Sequence, residues 1–504
     1  MTKYVVGSKI LKKEQVLISI FLIAILALSS GSMVAFASGS HTIVVKPSGD
    51  TSGATDTAAI QAALNKCTTG DPQCTVQLLS GTYYISSQIA VIGFHGNFVG
   101  MGQGKTTIEA LGNMPGTTVT PYWAQFPPSN HWPSLFTFVN GSFTMAGMTI
   151  TDTSPTPTKG WTDITGGCSE EPCTALTEAI KVSGLKAFAS FDHITIVGAA
   201  GDYGGYNIAE GIHIEGLELP VGWTNPEADT HMLTGTFSIT NSVFTDTAGP
   251  VVNFLVNSNV VICGNAAYTP DINNYFVFDV VTDVSNTNIL ICRNQATVPL
   301  QFAVGAFQSF IKSGLLPSTL TITDNHFQVN QGANAVALED AGPAFFGTPP
   351  TLSAVVSGNT FQDSYAGGST YYYSVIETFT LKSTLISSNS ITGGGAIGIY
   401  FNGQPGTISG NTISGADTGV WLDMASGVHV AGNMIRNSVQ YGISMTSSNV
   451  AGSSATTPSS NNFIIGNFVH NSGTYDLYWD GLGTGNVWCH DIYQTSSPSV
   501  LPSC

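Results

Sequence analysis

Apolar residues fall two apart in a series of short runs: EGIHIE (210–215), AVALED (335–340), IGIYFN (397–402), TGVWLD (418–423), YGISMT (441–446) and YDLYWD (475–480). Within them Ile212/Ile214, Val336/Leu338, Ile399/Phe401, Val420/Leu422, Ile443/Met445 and Leu477/Trp479 share one side of an extended backbone, because side chains alternate along a strand. The residues between them, His213, Ala337, Tyr400, Trp421, Ser444 and Tyr478, then form one outward row, with Glu215, Glu339, Asn402, Asp423 and Asp480 as a second row at the strand ends.

A second phrase alternates with the first. An apolar pair, a turn residue and an asparagine recur as VVICGNAAY, ILICRNQAT, LTITDNHFQ, AVVSGNTFQ, TLISSNSIT, GTISGNTIS, VHVAGNMIR, NFIIGNFVH and GTGNVWC, placing Asn265, Asn294, Asn325, Asn359, Asn389, Asn411, Asn433, Asn467 and Asn486 at equivalent positions. FSITNSVF is an earlier copy with Ser242 in register. Variable spacing of a constant phrase points to one short unit carrying insertions. The arrangement that satisfies both phrases is a parallel coil, each strand pairing with its equivalent one turn away at about 4.8 Å. Asparagine suits the corner because it tolerates the left-handed conformation, and its amide can donate to and accept from the next turn as a ladder. Each unit then contacts only its neighbours.

Composition supports this picture. Of 504 residues only 9% are charged and 56 are glycine, which suits many short strands joined by turns. At the start, Lys3, Lys9, Lys12 and Lys13 precede an apolar run over 16–28 and a small-x-small site at Ala35–Ala37. That is the form of a signal peptide, residues 1–37, leaving a single domain over 38–504 that is secreted or held at the cell surface. The formal net charge is −17, near −20 without that segment. Such a charge excludes a simple nucleic-acid binder. It favours a neutral polysaccharide, or an acidic one bridged by Ca²⁺, with no cofactor otherwise required. No membrane contact is expected after cleavage, and the chain reads as a monomer. The eight cysteines fall into apparent local pairs, Cys67 with Cys74, Cys168 with Cys173, Cys263 with Cys292 and Cys489 with Cys504. An even count in an exported chain points to disulfides, and none has the spacing of a metal site.

The sequence resembles the right-handed parallel β-helix proteins of the pectin-lyase-like superfamily. SGDTSGATDTAAIQAALNKC is similar to the D-T-x-A-I-Q-x-A opening of that group, which implies a helix over 55–67 plugging the first coil. Asp56 can cap it, with Ile60, Ala63, Leu64 and Cys67 on one face. The expected fold is all-β, a right-handed parallel β-helix of about a dozen coils ending in a tail over 487–504.

Chemistry is less sharply written. FDHITI resembles the I-D-H-N-T-F phrase of family-one pectate lyases, with Asp192 and His193 at the Asp-His, but Ser190 stands at the tryptophan and the R-x-P-x-R segment is missing. AEGIHI resembles the N-T-D-G-I-x-I phrase of family-28 polygalacturonases, with Glu210 at the aspartate. The next coil carries only Asp246, and the G-H-G and R-I-K phrases are absent. Inverting hydrolysis needs an acid and a base carboxylate about 6.5–9.5 Å apart, and successive coils can supply that from Glu210, Glu215 and Asp246, with Asp192 nearby and His193 and His213 in the same candidate group. Tyr400 and Trp421 on adjacent coils offer a sugar-stacking platform. Loops over 112–135, 152–178, 199–209 and 217–235 add aromatic residues, Trp161 and Trp223 among them. These features point to a polysaccharide hydrolase or lyase, or to a non-catalytic adhesive β-helix that binds glycan or a partner.

Overall fold

The computed structural model describes residues 41–504 apart from 69–73, 112–133, 153–175, 199–207, 217–222, 225–231, 269–275, 299–301, 309–310, 330–333, 342, 344–346, 365–372, 394–396, 404 and 450–455. The proposed signal segment, Trp161, Cys168, Cys173 and most of the long loops lie outside them.

From Thr42 to Cys504 the chain forms one parallel β-helix whose rungs have three faces. The first face is built by Ile208–Glu215, Ala248–Asn253, Phe276–Thr282, Phe302–Gln308, Asn334–Asp340, Ser374–Phe379, Ile397–Asn402, Thr418–Asp423, Tyr441–Thr446 and Tyr475–Trp479, each paired in parallel with the next. The second runs from Thr234–Thr240 and Asn259–Cys263 to Val487–Cys489, the third from Val243–Thr245 to Phe468–His470. Two long strands, Ser134–Asp152 and Leu176–Val197, wind past all three faces before the rungs become discrete.

Like stacks on like inside. Ile212, Val252, Val304, Val336, Ile376, Ile399, Val420, Ile443 and Leu477 are all buried beneath the first face. Gly419 shows how tightly the rungs pack there, since a Cβ on it would lie 2.4 Å from Ile435 Cγ2 and 2.5 Å from the Gly442 carbonyl oxygen. The corner between second and third faces carries the asparagine ladder. Asn265, Asn294, Asn325, Asn359, Asn389, Asn411 and Asn433 each donate an amide N–H to the next rung's side-chain oxygen at 2.9–3.0 Å. The same oxygen also accepts a backbone N–H. Ser242 begins the ladder, its backbone N–H donating to Asn265 Oδ1.

Two expectations about the ladder are corrected. Its last rung is Asp491, which accepts from Asn467 at 2.9 Å. Asn486 belongs to a separate ladder, where it accepts from Asn462 at 3.1 Å and Asn462 accepts from the Val428 backbone. Nor do the ladder asparagines supply the left-handed turn. The residue before each does so: Asn241, Gly264, Arg293, Asp324, Gly358, Ser388, Gly410, Gly432, Gly466 and His490 all have φ between 51° and 73°. The turn residue reverses the chain so that the asparagine after it aims its amide inward, where Asn359 is 1% exposed.

One helix, Ala54–Asn65, packs Ile60, Ala63 and Leu64 against the first rungs. Asp56 does not cap it. Gly53 holds the cap position without a side-chain bond, and the buried Asp56 carboxylate instead accepts the backbone N–H groups of Ser48 at 2.8 Å and Tyr84 at 3.0 Å. Disulfides join Cys67 to Cys74, Cys263 to Cys292 on adjacent rungs, and Cys489 to Cys504.

Candidate functional site

Register along the first face defines an outward row. Lys181 is followed by His213 and Val251; past a register shift the backbone row continues through Asp279, Gly305, Ala337, Glu377, Tyr400, Trp421, Ser444 and Tyr478. A parallel row carries Glu339, Phe379, Asn402, Asp423 and Thr446. Asp480 lies just past its strand, its backbone N–H reaching the Met445 carbonyl at 3.2 Å. Polar side chains gather at two places on this face.

The first is a buried quartet. His213 Nδ1 lies 2.8 Å from Glu178 Oε1, and Lys181 Nζ lies 3.2 Å from the same oxygen and 2.9 Å from Glu215 Oε2. His213 Nε2 faces Glu215 Oε2 at 3.4 Å and Asn253 Nδ2 at 3.2 Å. Burial pushes the Glu178 carboxyl up, but Lys181 and His213 outweigh it and hold the group below the usual carboxylate range. Burial likewise pulls the Lys181 ammonium down, and the two glutamates more than reverse that. Glu178 and Lys181 therefore hold their charges. Donor atoms of Glu178, His213 and Glu215 lie within 4.8 Å of one another, a spacing that a metal ion could use. The Lys181 ammonium already fills that role: it touches both carboxylates and would repel a second cation. These residues do not fit a bound Ca²⁺.

The second place joins two glutamates to an aromatic pair. Glu377, half-buried, accepts a short hydrogen bond from Asn334 Nδ2. Burial pushes its carboxyl up to about 7, against the hydrogen bonds of Ser374 and Asn334 and with the Glu339 carboxylate adding to the rise. Glu339, on the adjacent rung, is itself pushed up by burial and by Asp340. Next to Glu377 in register stands Tyr400, whose ring is 5.4 Å from Trp421 in an edge-on contact and 5.3 Å from Phe379. Hydrogen bonds fix both platform residues. The Tyr400 hydroxyl donates to Asp423 Oδ2 at 2.9 Å and accepts from Asn402 at 3.3 Å, while Trp421 Nε1 donates to Thr446 Oγ1 at 2.7 Å. Asp423 is completed by Thr446 and Ser448.

The residues singled out in the sequence separate accordingly. His213 and Glu215 come together on the first face, and Glu210 lies in register between Glu178 and Ala248, its side chain outside the described set. Trp223 belongs to the short strand Trp223–Thr224, again without a described side chain. Asp192 and His193 are not with them. They occupy the ladder corner between second and third faces, where Asp192 accepts from Thr240, Asn241 and His193 at 2.7–2.8 Å. His193 has the same positive φ, 52°, as the turn residues of later rungs. Asp246, also at φ 52°, turns the chain after the third face. Glu178, Lys181, Asn334 and above all Glu377 were missed. In VIETF the inward position that would continue the apolar alternation is Thr378, so the run lacks the Ile-x-Leu signature; its place one unit after Asn359 was the available signal.

A family model described as a right-handed beta helix region matches residues 312–482, which fixes the hand of the coil. No curated protein matches the chain in sequence. Among solved structures, the catalytic unit of a thermostable GH87 alpha-1,3-glucanase from Streptomyces thermodiastaticus is similar at 11% identity and TM-score 0.42, over 91% of this chain and 70% of that one. The Dettilon tailspike protein is similar at 11% identity and TM-score 0.40, over 91% and 68%. A periplasmic alginate epimerase follows at 9% identity and TM-score 0.37, over 83% and 77%. At these values the likenesses transfer no activity.

Proposed function

We propose that the protein is an exported polysaccharide hydrolase that works on its first face, with Glu377 as the proton donor. The observation behind this reading is a half-buried carboxyl pushed up to about 7, one rung from a second raised carboxyl and beside a rigid Tyr–Trp platform. Two carboxyls on adjacent rungs that each disfavour the charged form can divide the roles of acid and base between them. Glycoside hydrolysis uses such a pair: protonated Glu377 delivers its proton to the leaving glycosidic oxygen, and ionised Glu339 assists water or stabilises the cationic sugar. Tyr400 and Trp421 would hold a sugar ring against the pair.

Elimination from an acidic glycan is less well served. Among the described first-face strands Lys181 is the one Lys or Arg, and its charge is committed to Glu178 and Glu215. A binding-only surface is the second reading, favoured by the hydrogen bonds that lock Tyr400 and Trp421 in place. The test is a panel of soluble glycans assayed for new reducing ends with wild type and Glu377→Gln. Turnover of at least one glycan, reduced by about 10²-fold or more in the variant, supports the hydrolase. Absence of turnover across the panel with binding retained moves the assignment to the second reading.

A further inference from the structure

Beyond Trp421 the outward row continues to a second aromatic station. Tyr478 is stacked on Tyr441 with ring centroids 4.8 Å apart and planes 30° from parallel, and Tyr475 lies 6.4 Å from Tyr478 at 20°. All three rings are half-buried, with part of each surface in solvent. Burial pushes the Tyr478 hydroxyl up, and Tyr441, Asp480 and Tyr475 add to it, so Tyr478 presents a neutral phenol. Between the two stations the register residue is Ser444, small and 3% exposed. Its neighbours cover it, so the exposed aromatic surface lies on either side. In register order the face reads acid at Glu377, aromatic pair at Tyr400 and Trp421, the covered Ser444, and Tyr478. Four strand spacings separate Glu377 from Tyr478, about 19 Å at ~4.8 Å each.

We propose that Tyr441, Tyr475 and Tyr478 form a distal subsite for an uncharged glycan whose chain runs along the coil axis across several rungs. The inference rests on the reading of the first face as the working surface and adds the substrate's charge class and extent. Chemistry selects the ligand. Aromatic faces bind the apolar C–H faces of sugars, and tyrosine offers a hydroxyl at the rim. Asp480 stands at the end of the path, and no Lys or Arg stands on the described first-face strands from Phe302 to Trp479. A polyuronate would find no cation to pair with along this path and would meet the overall negative charge of the chain.

The test is affinity electrophoresis of Glu377→Gln in gels containing a mixed-linkage β-glucan, a xylan, a galactomannan or an α-1,3-glucan, with polygalacturonate and alginate as charged probes. The variant is to be retarded by at least one uncharged glycan and by neither charged one. Tyr478→Ala and Tyr441→Ala, added to Glu377→Gln, weaken that retardation three- to tenfold, or about 0.7–1.4 kcal/mol, while far-ultraviolet circular dichroism and Tm stay unchanged. Tyr478→Phe retains most of the retardation, which a merely misfolded alanine variant would not explain. Retardation by the charged glycans alone, no retardation by any uncharged glycan, or full retardation of Tyr478→Ala overturns the proposal. Because binding is read on a variant blocked in proton donation, the two proposals fail separately. Tyrosine-dependent binding without wild-type turnover removes the hydrolase and leaves the subsite, and turnover with tyrosine-independent binding does the reverse.

Discussion

Glu377 is a carboxyl group placed where water only partly reaches it. Burial favours its neutral form, and two hydrogen bonds reduce that preference without cancelling it. Its folded pKa of about 7 exceeds the ordinary 4.5, so the folded chain holds the proton more tightly than the unfolded chain. The resulting stability is complete below the unfolded value and is lost as pH rises through about 7. Glu377→Gln stays neutral at every pH. Urea unfolding of wild type and variant should therefore show the wild type losing about 2–3 kcal/mol relative to the variant between pH 5 and pH 8. A constant difference between the two across that range would mean that Glu377 titrates normally. The Glu178–Lys181–His213–Glu215 quartet illustrates the opposite arrangement. It is buried more deeply, but Glu178 and Lys181 neutralise each other there, so Glu178 is held below the usual carboxylate range rather than raised.

Strands and corners set where such residues stand. The ladder corner is the element most easily read in the chain, because both its donor and its acceptor come from one asparagine in a phrase that repeats locally. Asn359 shows what it contributes. Its side chain accepts two bonds from Asn325 and donates to the Ile322 carbonyl and to Asn389. Asn359→Ala leaves these buried groups without partners, which should cost about 3–5 kcal/mol given roughly 1–3 for each unsatisfied group. Asn288→Ala, at an exposed strand position, should change stability by less than about 0.5 kcal/mol. Equal effects in chemical denaturation would contradict the ladder's role. The outward row was equally legible wherever alternation was intact, as at Val420-Trp421-Leu422. It failed at Ile376-Glu377-Thr378, where a buried threonine interrupts the apolar period. The phrase Asp192-His193-Ile194 misled for a related reason. It looks like chemistry by its letters, yet by position it matches Thr240-Asn241-Ser242, in which the middle residue makes the left-handed turn. A corner turn needs a residue that tolerates positive φ, and that demand is invisible when the letters are read without the register.

At the scale of the molecule, parallel coiling turns separated sequence segments into a continuous surface. Glu377, Tyr400, Trp421 and Tyr478 are spread over about a hundred residues yet occupy successive positions on one face. A chain-like ligand laid along the coil axis would meet them in order, and among the described residues neither the second nor the third face repeats that combination of carboxyl pair and aromatic rings. The acidic balance of the chain, −17 overall, agrees with an uncharged partner. The most direct measurement is a crystal structure of Glu377→Gln with an oligosaccharide from partial digestion of a glycan that wild type cleaves. The account predicts sugar density on the first face, with a glycosidic oxygen beside the residue 377 amide and sugar rings over Trp421 and Tyr478. Density confined to the second or third face, or to the buried quartet around His213, would contradict it.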